Sequence, residues 1–148
     1  MITTCGTFVF TNDTRKLLIV HPTHASPKTW SIPKGELETE DEHPWRRARK
    51  ELKEETGLDF KYLNDIKCLG YQNYEKNKNK RLLGFLQTID SSWINKPLIC
   101  TSLVNNEFSE VDGFAWVSLN VARGLLHESQ VKLFPKLIEK LKEEGIEV

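Results

Sequence analysis

The stretch from Pro44 to Leu58 leaves this chain the least freedom. Pro44 follows the acidic run Thr39-Glu40-Asp41-Glu42-His43, and proline suits a first helical turn because its missing N–H would have had no partner there. Trp45, Ala48 and Leu52 stand at i, i+3 and i+7 and make one apolar stripe. Gly57 sits where a left-handed C-cap is wanted, and Leu58 just beyond can pack back on Leu52. The pattern predicts an amphipathic helix to about Thr56 that must bury one face against a partner layer.

The charges of this helix work against its own electrostatics. Glu51, Glu54 and Glu55 crowd one face in the last turns, where the macrodipole disfavours anions and lysine would be preferred. Like-charged neighbours cost about 0.2–0.5 kcal/mol per pair on an exposed helix, so an ordinary acidic surface stays open as an explanation. A divalent cation changes the balance. Hard magnesium takes oxygen ligands, and one or two carboxylates with waters and substrate phosphates complete its shell. The cluster then becomes a site, and it favours a substrate that brings negative charge of its own, such as a phosphoanhydride.

Elsewhere, Ile2 to Phe10 and Leu17 to Val20 read as a hairpin around the turn-forming Thr11-Asn12-Asp13-Thr14. His21 to Lys28 reads as a loop leading into Trp30-Ser31-Ile32-Pro33-Lys34-Gly35, where proline and glycine work against regular structure. Ile66 to Tyr74 and Arg81 to Ile89 resemble two strands joined across a polar connection, and Asp90 to Asn106 reads mostly as loop. Phe114 to Val117 predicts a short strand and Leu119 to Leu126 a short helix. Val131 to Glu144 predicts a final helix with Leu133, Leu137 and Leu141 on one face. With no repeat, low-complexity tract or linker, residues 1–148 are expected to form one α/β domain, a mixed β-sheet covered by helices.

Composition narrows the partners. Lysine plus arginine and aspartate plus glutamate both number 21, so no net field draws the chain to nucleic acid or an anionic membrane, and phosphate recognition must be local. Cys5, Cys68 and Cys100 fit neither a disulfide framework nor a Cys-x-x-Cys metal site, and His21, His24, His43 and His127 share no metal-ligand spacing. The start Met1-Ile2-Thr3-Thr4-Cys5 lacks a basic segment before a long apolar run, and no stretch is long enough to span a bilayer. A cytoplasmic protein without membrane insertion is expected.

Read from Gly35 to Leu58, the sequence GELETEDEHPWRRARKELKEETGL resembles the Nudix box, whose pattern is G-x5-E-x7-R-E-U-x-E-E-x-G-U with U aliphatic. From Glu42 onward the register matches: after seven intervening residues come Lys50 and Glu51, then Leu52, Glu54, Glu55, Gly57 and Leu58. Two departures stand out. Six residues rather than five separate Gly35 from Glu42, which makes either Glu42 after a loop insertion or Asp41 the first acidic position. Lys50 replaces the usual arginine, which implies loss of a bidentate grip on a neighbouring glutamate. Outside the box, Trp30 to Glu36 resembles the entry loop of a bacterial branch of these hydrolases, and Phe108-Ser109-Glu110-Val111-Asp112 resembles their later acidic segment.

The resemblance implies an α/β/α sandwich and metal-dependent hydrolysis of a diphosphate linkage, with Mg2+ as cofactor and Mn2+ as an alternative. It makes Glu51 and Glu55 the principal metal ligands, with Glu54 sharing the metals or orienting water and the Gly35 carbonyl as a further ligand. Glu110 is the expected distal ligand or general base, with Glu107 as fallback. Lys34 either contacts a phosphate or is merely solvated, as are the lysines and Arg81 around the Tyr74–Leu82 turn. Trp30, Tyr71 and Tyr74 either stack on a base or pack. Tyr74 lies 16 residues after Leu58, similar to a tyrosine that marks dinucleoside polyphosphate hydrolases. Diadenosine tetraphosphate or a nucleoside triphosphate is therefore the expected small-molecule substrate, and the features of ADP-ribose and coenzyme A hydrolases are missing. Two other classes stay open, a Nudix-fold module that binds a nucleotide without cutting it and an interaction domain with an acidic helix.

Overall fold

A computed structural model describes residues 1–39, 42–60 and 66–148. Asp41, the second candidate for the first acidic position, lies outside the described residues. The central element is β1 (Ile2–Thr11), whose every residue but the first is buried. Along one edge it pairs in parallel with β5 (Lys80–Ile89) over its full length, and β5 pairs antiparallel with β4 (Ile66–Asn73). Its other edge is shared. Near its end Phe10 pairs with Leu17 of β2 (Leu17–Pro22), whereas near its start Thr4, Cys5 and Gly6 pair with β3 (Lys34–Glu36). The outer strand is β8 (Val111–Val117), antiparallel to β2, and the whole is a six-stranded mixed sheet in the order β4-β5-β1-β2-β8 with β3 beside β1.

Strand alternation sends apolar side chains to both faces. Phe8, Phe10, Leu17, Ile19, Leu82 and Leu86 face a layer made by α2 (Leu119–Arg123), α3 (Glu128–Val131) and α4 (Phe134–Glu143), packing against Leu126, Phe134, Leu137 and Leu141. On the opposite face Val9, Leu18 and Ile89 meet Leu52 and Leu58 at the end of α1 (Pro44–Thr56). Cys5, Leu83 and Phe85 meet Ala48 and the flank of Trp45. The stripe on α1 and the return contact of Leu58 are those expected, and the architecture is the α/β/α sandwich. Among the described residues no helix is long and apolar enough to cross a membrane.

Three expectations need correction. Lys34-Gly35-Glu36 is a strand, because pairing with Thr4–Gly6 outweighs the local effect of Pro33 and Gly35. The final helix does not run unbroken from Val131. It breaks at Lys132 and Leu133 and restarts at Phe134, since Pro135 has no N–H to offer and is confined to the first turn of α4. The segment between β5 and β8 holds a 3-10 turn at Ser91–Asn95, capped by Asp90, and a small hairpin of β6 (Leu103–Val104) with β7 (Phe108–Ser109).

Candidate active site

The helix α1 ends as the sequence demands, with Gly57 at φ 82° donating its N–H to the Lys53 carbonyl. The carbonyls left over at that end are taken up by a distant loop. Ile99 N–H donates to Thr56 O at 3.0 Å and Thr101 N–H to Glu54 O at 2.7 Å, so residues 99–101 are fixed beside the acidic turns. Glu51 and Glu55 are turned inward and are only 9% and 5% exposed, while Glu54 is about one-third exposed at its side chain. Between the helix and β1 runs β3. The Lys34 N–H donates to Glu55 Oε2 at 3.1 Å, and Gly35 lies so close to Glu51 that a Cβ there would come within 2.1 Å of the Glu51 carboxyl carbon. Only glycine permits that approach.

Burial of Glu51 is offset by an arginine that the sequence pattern does not single out. Arg47, 6% exposed, places Nε and Nη2 on the two carboxylate oxygens of Glu42, the second at 2.9 Å, and Nη1 on Glu51 Oε1 at 3.0 Å. This corrects the inference drawn from Lys50. The bidentate grip is present, one helical turn earlier, and Lys50 instead lies on the outer face with its Nζ 3.9 Å from Glu54 Oε1. The signal was available in the i, i+4 spacing of Arg47 to Glu51. Glu42 is thereby tied into the helix, and its carboxyl is held below the ordinary range first by the hydrogen bond from Arg47.

Glu110 stands between β7 and β8, and Ser102 Oγ–H donates to its Oε2. Its own N–H donates to Ser102 O, and Ser102 follows Thr101, which is bonded to the Glu54 carbonyl, so Glu110 is tied to the loop at the end of α1 and its charge raises the pKa of both Glu51 and Glu55. Glu107 lies on the exposed β6–β7 turn, where its N–H donates to Val104 O. Burial, then Glu110, then Glu51 push Glu55 up to about 9, and burial first of all raises Glu51. Carboxylates so poorly solvated and so near one another are stabilised by a cation. Among the described residues no three acidic, histidine or cysteine side chains alone enclose a metal. That donor set fits magnesium, which keeps waters and takes substrate oxygens in addition to one or two carboxylates.

The remaining predicted residues divide. Lys34 lies beside the cluster through its backbone, and its charge is felt by His127, as is that of Lys80. Tyr74 lies with its ring centroid 4.8 Å from that of His127 and with Lys80 Nζ 5.1 Å from its own. The sequence alone gives His127 no chemistry. Its Nδ1 accepts the Ser129 N–H as the N-cap of α3, leaving Nε2 to carry a proton. No spacing rule would have found it, because it meets Tyr74 only through the fold. Trp30 is placed differently. Its indole N–H donates to Pro27 O, its ring lies against His21 and over Gly113, and its backbone bridges to Leu126. Tyr71 is exposed, with the Arg81 guanidinium 3.8 Å from its ring centre.

The family model of the NUDIX domain matches residues 3–137. The chain belongs to the NUDIX family. No curated protein matches it. Among solved structures it is similar to an Ap4A hydrolase from C. elegans, at 16% identity and TM-score 0.72, covering 97% of this chain and 99% of that one. It is also similar to the NUDIX domain of Shewanella oneidensis NrtR in complex with ADP ribose, at 20% identity and TM-score 0.69, covering 94% and 87%. A third is the bifunctional NMN adenylyltransferase/ADP ribose pyrophosphatase of Francisella tularensis, complexed with AMP and a manganese ion. It shows 20% identity and TM-score 0.62, and the match covers 97% of this chain but 41% of that one.

Proposed function

We propose that this protein hydrolyses a diphosphate linkage in a nucleotide, either a dinucleoside polyphosphate such as diadenosine tetraphosphate or a nucleoside triphosphate, with Mg2+ or Mn2+ held at the end of α1. The observation that carries this reading is the gathering of Glu51, Glu55 and Glu110, two of them buried, against a strand whose Gly35 leaves them room. In this reading Glu51, Glu55 and the Gly35 carbonyl are the ligands, with Glu54 shared between metal and water. The metal, when bound, neutralises carboxylate and phosphate charge and acidifies the attacking water. Glu54, the most exposed of the three helix glutamates, is suited to accept the proton from water, and Glu110, held by Ser102, orients it or takes over as base. Lys34 offers a point charge to a phosphate. Tyr74, with His127 and Lys80 around it, offers a face to a base.

The names of the relatives support a nucleotide as the ligand, and the AMP and manganese of the Francisella structure support a divalent metal beside it. The test is release of phosphate or mononucleotide from diadenosine tetraphosphate, ADP-ribose and nucleoside triphosphates with and without magnesium. Magnesium-dependent turnover is expected on the first or the last. Glu54→Gln and Glu55→Gln should lower kcat by about two orders of magnitude or more while the fold survives. Binding across the panel without turnover would make the protein a nucleotide sensor instead.

A further inference from the structure

The β4–β5 hairpin carries Tyr74 at the point where strand pairing ends. Its last rung is Tyr74 N–H to Lys80 O at 3.1 Å, and beyond it the tip is held by Lys80 N–H to Asn77 O and Asn79 N–H to the Asn77 side chain. Nothing in so short a turn fixes the Tyr74 ring against α3, which comes from 53 residues further along the chain. The ring packs against the core, and contacts one residue on tie the hairpin tip beside it to α3. The Glu75 N–H donates to Glu128 Oε1 at 3.0 Å, and Lys132 Nζ sits between the Glu75 carboxylate and Glu128 Oε2, the latter at 3.6 Å. Glu75 follows Tyr74 and Glu128 follows His127, so the polar clasp and the aromatic pair join the same two elements side by side.

We propose that Glu128 and Lys132 are positioning residues, which hold the hairpin on α3 so that Tyr74 and His127 form one surface for the substrate's base. The proposal rests on the function argued above only in taking the substrate to be a nucleotide. Partly exposed ion pairs contribute little to global stability, so loss of the clasp loosens the hairpin tip without unfolding the sheet. Its effect falls on affinity for a base, because the carboxylates lie on α1 and just before β8, outside the hairpin.

Lys132→Met, Glu128→Ala and the conservative Lys132→Arg decide it. Calorimetry with ADP and magnesium should show affinity falling about five-fold or more in the first two and largely recovered in the third. KM for ATP or diadenosine tetraphosphate should rise in parallel with kcat within about two-fold, while turnover of inorganic tripolyphosphate, which has no base, stays as in the parent protein. Unchanged ADP affinity in folded Lys132→Met and Glu128→Ala overturns the clasp even if the parent enzyme cuts nucleotides. An equal loss on tripolyphosphate overturns it as well, since that reports general damage. If the parent protein binds ADP but cleaves nothing and the variants bind it more weakly, the clasp stands and the hydrolytic reading falls. If it binds no nucleotide, both fall.

Discussion

At the scale of single residues, the arginine that organises the acidic turn is Arg47 and not the residue at position 50. Removing one partner of a buried ion pair leaves an uncompensated charge and costs about 3–5 kcal/mol. Arg47→Ala should therefore lower the melting temperature strongly and turnover with it. Arg47→Lys keeps the charge without the fork and should fall between. Lys50→Arg, which restores the family's usual residue, should change kcat by less than about two-fold, because position 50 points outward. A large gain from Lys50→Arg would show that the usual arginine site is still the working one. His21 supports a different expectation. Its Nε2 faces Ser26 O at 2.8 Å and its Nδ1 faces Asp112 Oδ1 at 2.6 Å, and these two contacts, the first the larger, raise its pKa. A raised histidine adds stability that is whole below its unfolded pKa, about 6.5, and is lost as pH climbs through the higher folded value. NMR titration should find His21 above the ordinary histidine range, and Asp112→Asn should bring it down; no change in that variant would mean that the Asp112 contact does not hold in solution.

At the scale of elements, legibility tracked how local the cause was. The helix α1 could be read because Pro44, the Trp45-Ala48-Leu52 stripe and Gly57 all lie within it. The strand β3 could not, because its hydrogen bonds come from Thr4 to Gly6, some thirty positions away, and Pro33 and Gly35 argue locally for a loop. The break at Lys132 and Leu133 was visible as Pro135, yet the periodicity of Leu133, Leu137 and Leu141 masked it. The packing of β3 on α1 has a measurable consequence. With 2.1 Å between an added methyl and the Glu51 carboxyl carbon, Gly35→Ala must either push Glu51 aside or lift β3 from β1. Overpacking of this kind costs about 1–3 kcal/mol, and displacement of Glu51, proposed above as a ligand, should lower kcat by about a hundred-fold or more. If Gly35→Ala were as active and as stable as the parent, the close contact between strand and helix would not exist in solution.

For the molecule as a whole, the order β4-β5-β1-β2-β8 decides which distant residues meet. Glu51 and Glu55 belong to the first half of the chain and Glu110 to the second, and they come together because β1 shares one edge between β3 and β2, with β8 beyond β2. The glutamates of the helix were legible from their spacing. Glu110 was legible only through family resemblance, and Ser102, which holds it, through neither, since no local pattern encodes a contact between loops. Burial and mutual repulsion raise Glu51 and push Glu55 up to about 9, so without metal the folded protein keeps protonated a carboxyl that ionises freely in the unfolded chain, at a cost in stability at neutral pH. Glu110→Gln removes one charge without changing volume. It should therefore raise the melting temperature in chelator, reduce the further rise that magnesium produces by mass action, and lower kcat, trading function for stability. Melts of both proteins in chelator and in magnesium separate these effects. A Glu110→Gln protein no more stable than its parent in chelator, and equally stabilised by magnesium, would place Glu110 outside the electrostatic unit and return the distal role to Glu107.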